Sequence, residues 1–120
     1  KKKAELVFYD PNVATKEIVD EVYDIVNNRL KAIKVIALAK SAIRNNLSDE
    51  LREITAPTCL IWGKNDTVTP PMVADEFKRL ITHAELNWLD QCGHAPMMER
   101  PHEFNVILEQ FLKNNPVNKL

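Results

Sequence analysis

Two short apolar runs with a helical pattern between them constrain the fold of this chain more than any other feature. Residues 58–62 (TCLIW) form a continuous apolar run, as expected of a parallel strand covered on both faces, and residues 85–89 (ELNWL) form a second strand-like run. Between them, Thr69 can cap a helix that starts with two prolines and reaches about residue 81. Two strands joined by a helix are parallel, with a right-handed crossover, so both deliver their following loops to one edge of the sheet.

A final helix is predicted from Pro101 onward. Its apolar residues recur on one face, namely Phe104, Ile107, Leu108, Phe111 and Leu112. From residue 51 the order of elements is therefore β, α, β, α. This order predicts an α/β fold with two parallel strands and their helices.

The first part of the chain has a different, purely helical pattern. Apolar residues recur at three- and four-residue spacing over residues 15–28, where Thr15 fits an N-cap. Residues 32–44 are apolar over a wider arc, so this second helix is expected to be buried on more than one side, and the two helices could form a hairpin. The change of pattern divides the chain into a helical region, residues 1–50, and an α/β region, residues 51–120.

The chain of 120 residues has only two glycines, and each stands beside a residue with catalytic chemistry. Gly63 precedes Asp66 by three positions, and Gly93 directly precedes His94, whereas average usage would scatter about eight glycines over this length. Both follow strand-like runs, where a glycine lets the backbone turn through positive φ. The sequence therefore predicts two loops that present an acid and an imidazole at the same sheet edge.

An aspartate and a histidine at one edge suit nucleophilic catalysis. The carboxylate fixes the imidazole in one tautomer, and the other ring nitrogen deprotonates a nucleophile. Taken singly, Asp66 is typical of a loop or cap residue and His94 of a hydrogen-bonded core histidine, so only their pairing favours catalysis. Asp90, next to the end of the second strand, is an alternative acid, while His83 and His102 are expected to be solvated.

Other side chains near these loops are expected to have structural roles. Glu99 and Arg100 are expected to fix the histidine loop to the sheet as an ion pair. Trp62 and Trp88 are interpreted as core or pocket-wall aromatics. Residues 97–98 (MM) could line a substrate pocket, although gap filling in the core is the better interpretation of methionine.

Two stretches of the sequence carry a resemblance to a known family. Residues 56–70 (APTCLIWGKNDTVTP) and residues 92–101 (CGHAPMMERP) resemble the carboxyl-terminal third of the α/β-hydrolase family. In that family the WGxxD strand end carries the acid of a catalytic triad, and the Gly-His loop carries its histidine, in the order nucleophile, acid, histidine. The resemblance implies that Asp66 is the triad acid and His94 the triad histidine.

The resemblance covers residues 51–112, and the helices over about residues 15–44 look like the tail of the helical cap that the family inserts before the acid-bearing strand. It implies a serine-type hydrolase that cleaves an ester or an activated C–C bond of a small organic substrate. Asp66 would orient the ring of His94, which would act as general base and then as general acid. The substrate itself is not implied, because different chemistries share this part of the fold.

The chain departs from the family in lacking a nucleophile. No GxSxG elbow and no His-Gly oxyanion segment occur in the sequence. Ser41 lies inside a helical pattern, Ser48 looks like an N-cap, and Cys92 would need its own elbow, so it is interpreted as a buried loop thiol. With Lys1 in place of methionine, the chain is expected to be a fragment that is inert alone. The alternative is a non-catalytic interaction module that keeps the hydrolase tail as a scaffold.

Composition and spacing argue against other classes of function. A net charge of −1 with no basic stripe disfavours nucleic acid, no apolar run approaches the roughly 18 residues that span a bilayer, and residues 1–3 (KKK) are not followed by a signal-peptide core. Metal-ligand spacings and phosphate-binding glycine loops do not occur, so no metal and no cofactor are expected. The expected partner is a small molecule.

Two further expectations concern the thiols and the exposed sheet. Cys59 and Cys92 would lie roughly 20 Å apart on the predicted strands, too far for a disulfide, and reduced thiols fit the cytoplasm. A two-strand parallel sheet leaves edges and apolar faces uncovered, so the chain is expected to associate with itself.

Overall fold

A computed structural model describes residues 6–44 and 47–116 of the chain. Its helices and strands are α1 (Lys16–Asn27), α2 (Arg29–Arg44), β1 (Thr58–Gly63), α3 (Pro71–Leu80), β2 (Ala84–Leu89), α4 (Pro96–Glu99) and α5 (Pro101–Asn114), with 3₁₀ turns at Pro11–Val13 and Glu50–Glu53. The lysines at residues 1–3, which are not expected to begin a signal peptide, lie outside the described residues.

The two strands form the parallel sheet that the sequence predicts. β1 and β2 pair in register from Thr58 opposite Ala84 to Gly63 opposite Leu89, and α3 packs on both strands. The predicted α/β fold is therefore confirmed. Residues 58–62 are half-buried instead of covered on both faces, because the described helices cover this two-strand sheet only in part. The buried apolar centre includes Ala74, Leu80, Ile81, Ala84, Leu89 and Cys92.

The start of α3 differs from the prediction. Pro70 occupies the N-cap and makes no side-chain hydrogen bond there, whereas the sequence pattern gave the cap to Thr69. The Thr69 hydroxyl instead donates to Oδ2 of Asp66 at 2.8 Å. The expected cap is wrong because this hydroxyl is engaged by the acid and not by the helix amides.

The amino-terminal helices confirm one expectation and correct another. Thr15 caps α1 as predicted, with its hydroxyl oxygen accepting from the Ile18 amide at 3.5 Å, and α1 contacts α2 as a hairpin would. The expected burial of α2 is wrong. More than half of the surface of each of its described large apolar residues is exposed: Leu30, Ile33, Val35, Ile36 and Leu38. Contact with α1 covers at most one side of α2. The apolar residues on the rest of its wide apolar arc therefore remain exposed.

Candidate active site

The loops that follow the two strands are joined by backbone hydrogen bonds. We call residues 64–70 the acid loop and residues 90–95 the histidine loop. The Lys64 amide donates to the Leu89 carbonyl at 2.9 Å, and the Asn65 amide donates to the Cys92 carbonyl at 2.9 Å. The parallel sheet thus presents both loops at its carboxyl edge, as the element order predicts.

The two glycines are needed for close approach and not for an unusual backbone conformation. A Cβ atom on Gly63 would lie 2.1 Å from the Gly93 carbonyl oxygen and 2.4 Å from the Cys92 carbonyl oxygen. A Cβ atom on Gly93 would lie 2.7 Å from the Val7 carbonyl oxygen. Neither glycine has positive φ, and Gln91 takes that conformation instead, at φ 50°. The expectation of positive φ at the glycines is therefore wrong, and tight backbone packing is the reason for the residue type.

Asp66 is a buried carboxylate that accepts hydrogen bonds on both of its oxygens. It is 6% exposed, and its Oδ1 accepts from the amides of Val68 at 2.8 Å and Thr69 at 2.9 Å. Its Oδ2 accepts from the Thr69 hydroxyl at 2.8 Å and lies 2.9 Å from Nδ1 of His94. These contacts fix the carboxylate in one orientation toward the ring.

The hydrogen bonds keep Asp66 ionised in spite of its burial. Burial alone would raise the pKa of this carboxyl, but donation from the His94 ring, from the Thr69 amide and hydroxyl, and from the Val68 amide outweighs it, so the net pKa is lowered from the ordinary 3.8. The carboxylate therefore carries its charge throughout the pH range in which histidine titrates.

His94 is held at one ring nitrogen and left open at the rest of the ring. Nδ1 lies 2.9 Å from Asp66 Oδ2 and 3.1 Å from the Thr69 hydroxyl, while 41% of the side chain is exposed. An ionised Asp66 favours the tautomer with the proton on Nδ1. The lone pair of neutral His94 is then on Nε2, where a general base needs it.

A mostly apolar groove adjoins this pair. Besides Asp66, Thr69 and His94, it is lined by Ile61, Trp62, Gly63, Pro96, Met97 and Phe104. The Trp62 indole N–H donates to the Thr69 carbonyl at 3.0 Å, which fixes one wall of the groove. The Met97 side chain lies at this groove and is 52% exposed, so it is not filling the core.

The alternative acid and nucleophiles occupy different surroundings. Asp90 is 73% exposed in its side chain and pairs with Lys64 Nζ at 2.8 Å. Cys92 is fully buried, and burial, assisted by the charge of Glu99, raises the pKa of its thiol to about 11, which keeps it protonated and unreactive at neutral pH. Ser41 lies within α2, and Ser48 is not the cap expected of it, because Asp49 is the N-cap of the 3₁₀ turn.

The expected ion pair between Glu99 and Arg100 is not how these residues act. Glu99 accepts from two backbone amides, that of Gly93 at 2.8 Å and that of Tyr9 at 2.7 Å. Arg100 pairs with Glu103 instead, with Nε to Oε1 at 3.2 Å. Glu99 does fix the histidine loop, but it does so through main-chain donors that no sequence pattern identified. His83 and His102 are exposed, as predicted.

The described residues offer no metal site and no membrane-spanning helix, and their two cysteines are unpaired. Within residues 6–44 and 47–116, no group of three or more His, Cys, Asp and Glu side chains could hold a metal ion. None of the helices in the described ranges has both the length and the apolar character to cross a membrane. Cys59 and Cys92 are both free thiols.

Comparison with known proteins identifies the fold that carries this site. No family model matches the chain. Monoacylglycerol lipase ABHD6 from Rattus norvegicus is 36% identical over 77 residues, which are 62% of this chain and 23% of that protein. A 2-hydroxy-6-oxononadienedioate/2-hydroxy-6-oxononatrienedioate hydrolase from a Pseudomonas species is 27% identical over 114 residues, covering 93% of this chain and 40% of that protein.

A solved structure gives the same result. MGS-MChE2, an α/β-hydrolase enzyme from a sediment metagenome of the Mar Chica lagoon in Morocco, superposes with a TM-score of 0.77 at 56% sequence identity, covering 85% of this chain and 47% of that one. The resemblance to the carboxyl-terminal portion of the α/β-hydrolases is thereby confirmed. This chain has a partial α/β-hydrolase fold and spans less than half the length of each of these three relatives.

Proposed function

We propose that this chain supplies the acid and the base of a serine-type α/β-hydrolase whose nucleophile lies outside it. The observation that carries the proposal is the contact of 2.9 Å between Oδ2 of a buried Asp66 and Nδ1 of a partly exposed His94. The related proteins are hydrolases, which supports the same chemistry.

The proposed mechanism follows from the tautomer that Asp66 selects. His94 Nε2 takes the proton of a serine hydroxyl as that oxygen attacks the carbonyl carbon of the substrate, and Asp66 stabilises the resulting imidazolium. Nε2 then gives the proton to the leaving group, whose bond to the carbonyl carbon breaks. Nε2 next takes a proton from water, whose oxygen attacks the acyl carbon. The bond from this carbon to the serine oxygen then breaks, Nε2 returns the proton to that oxygen, and the acid product leaves. No step requires a metal or a cofactor.

The substrate is proposed to be a small organic molecule with an ester or an activated C–C bond. Relatives named for a monoacylglycerol and for a 2-hydroxy-6-oxo dicarboxylate both match the chain, so both bond types stay within the proposal. The groove beside His94 supports an apolar portion in the substrate, because Ile61, Trp62 and Phe104 form much of its wall.

The regional division and the location of the chain are part of the proposal. We propose that residues 1–50 are the end of a helical cap with its connector, and that residues 51–120 belong to the hydrolase core. The exposed apolar residues of α2 support the first statement, since a cap helix has further protein or substrate to cover. The free thiols of Cys59 and Cys92 support a cytoplasmic location.

The isolated chain is expected to be catalytically inert. A general base without a positioned nucleophile and oxyanion donors has nothing to activate. The measurement is hydrolysis of p-nitrophenyl butyrate by the purified chain, compared with its His94→Ala variant and with buffer. We expect the same rate in all three. Turnover by the chain that disappears in the His94→Ala variant would mean that a nucleophile is present within it.

The chain is also expected to associate with itself through its uncovered apolar surface. Leu30 and Leu38 on α2 are 73% and 72% exposed, and burial of such side chains favours association by about 1.5–3 kcal/mol each. Sedimentation velocity should show dimers or larger species, and Leu38→Glu should shift them toward monomer. Lys40→Glu, at an exposed polar position on the side of the same helix away from Leu38, is the control. A strictly monomeric, folded chain at high concentration contradicts this expectation.

A further inference from the structure

One carboxylate joins two distant segments of the chain behind the histidine loop. The two oxygens of Glu99 accept separate backbone amides, Oε1 from Gly93 at 2.8 Å and Oε2 from Tyr9 at 2.7 Å. Glu99 and Tyr9 are 90 positions apart in the sequence. Charge-assisted bonds of this kind are about twice as strong as neutral ones, so the carboxylate is a firm tie between the segments.

The segment that contains Tyr9 also touches both loops of the site. The His94 amide donates to the Val7 carbonyl at 2.8 Å, and the Thr67 hydroxyl of the acid loop donates to the Leu6 carbonyl at 3.1 Å. Phe8, between these contacts, is buried. Residues 6–9 therefore form a strap that lies across the acid loop and the histidine loop together.

The strap and the histidine loop meet without spare room. A Cβ atom on Gly93 would lie 2.7 Å from the Val7 carbonyl oxygen, 2.9 Å from the Tyr9 nitrogen and 3.0 Å from Glu99 Oε1. The backbone at Gly93 is thus enclosed by the strap on one side and by the Glu99 carboxylate on another. Since His94 is the next residue, the position of this backbone sets the point from which the His94 side chain extends.

We propose that Glu99 is a positioning residue, which holds the ring of His94 against Asp66 by tying the Gly93 amide to the strap. The inference rests on the proposed function in one respect, because the ring it positions is the proposed general base. Glu99 does not touch the reacting atoms. It acts through the backbone of the histidine loop, and its two acceptor oxygens are the property that the role requires.

The Glu99→Gln variant tests this requirement in the full 120-residue chain. A glutamine has one acceptor oxygen and one N–H₂ group, so one of the two amides would face a donor in place of an acceptor. We expect hydrogen exchange at the Gly93 and Tyr9 amides to become about 10-fold faster or more. We also expect the ring-nitrogen resonances of His94 to lose the signature of a single Nδ1–H tautomer, while those of His83 and His102 stay unchanged.

Glu103→Gln is the matched control, because it removes the same charge four positions later from a half-exposed side chain that pairs with Arg100. It should leave the exchange rates and the His94 resonances as they are. If Glu99→Gln does not fold by circular dichroism, Glu99→Asp is measured in its place, since its shorter carboxylate cannot reach both amides. His94 resonances in either folded Glu99 variant that equal those of Glu103→Gln would overturn the proposal. These readouts do not involve turnover, so they are independent of whether the proposed hydrolase activity holds.

Discussion

The Asp66→Asn substitution is expected to lower kcat of the proposed full-length hydrolase by about 10⁴-fold, the cost of the same exchange in a serine-protease triad. The asparagine oxygen can still accept the amides of Val68 and Thr69, so the acid loop keeps its shape. Its N–H₂ group, however, would face Nδ1 of His94 and donate to it. The ring proton would then reside on Nε2, which could no longer take a proton from the nucleophile.

Asp90→Asn is the control for this prediction. It makes the same exchange at the alternative acid, which is largely exposed and pairs with Lys64 at 2.8 Å, so kcat should change by less than about 3-fold. Steady-state kinetics on the complete protein, with ring-nitrogen spectra of His94 in both variants, separates the two aspartates. A small loss in Asp66→Asn together with a large loss in Asp90→Asn would assign the acid to Asp90 and refute the role given to Asp66.

The second large effect is expected from Gly63→Ala, which should destabilise the fold by about 3 kcal/mol, at the upper end for an added methyl group in a packed interior. The new Cβ would lie 2.1 Å from the Gly93 carbonyl oxygen and 2.4 Å from that of Cys92, and both obstacles are main-chain atoms that cannot rotate away. The steric clash can be relieved only if the acid loop and the histidine loop separate. The contact between Asp66 and His94 should therefore weaken as well.

Denaturant unfolding measures this loss, since the midpoint moves with the free energy of unfolding at constant slope. Asn65→Ala, at an exposed position in the same turn, should change the free energy of unfolding by no more than about 0.5 kcal/mol. Gly93→Ala should fall between the two, because its closest obstacle is at 2.7 Å. If Gly63→Ala unfolds at the same denaturant concentration as Asn65→Ala, the close packing of the two loops is not as described.

The sheet and the placement of Asp66 and His94 could be predicted from the sequence because they depend on local patterns. Two apolar runs joined by a helix leave one arrangement, a parallel pair with a right-handed crossover, and the loops then share an edge. The glycines indicated where these loops lie, although for the wrong reason. Tight backbone contact between distant segments and positive φ both favour glycine, and a sequence alone does not distinguish them.

What the sequence could not predict depends on contacts between distant parts of the chain. The role of Glu99 requires the amide of Tyr9, 90 positions away, and no local pattern encodes that meeting. The sequence pattern assigned the Thr69 hydroxyl to the amides at the start of α3, but this hydroxyl donates to the Asp66 carboxylate instead. The exposure of α2 was missed because an apolar composition predicts burial only where another surface is present to provide it. The sequence did carry a signal for the contact between Asp66 and Thr69, since an aspartate commonly accepts the backbone amides two and three positions later.

The proposed function requires that this chain provide an acid and a base to a nucleophile encoded before it. The most direct test is to read the coding DNA immediately upstream of the Lys1 codon. We predict an open frame that encodes a GxSxG motif after a strand-like run. A GxDxG motif in that place would contradict the serine-type chemistry, and a start codon at the boundary with no elbow upstream would contradict the catalytic role of Asp66 and His94 and favour a non-catalytic module.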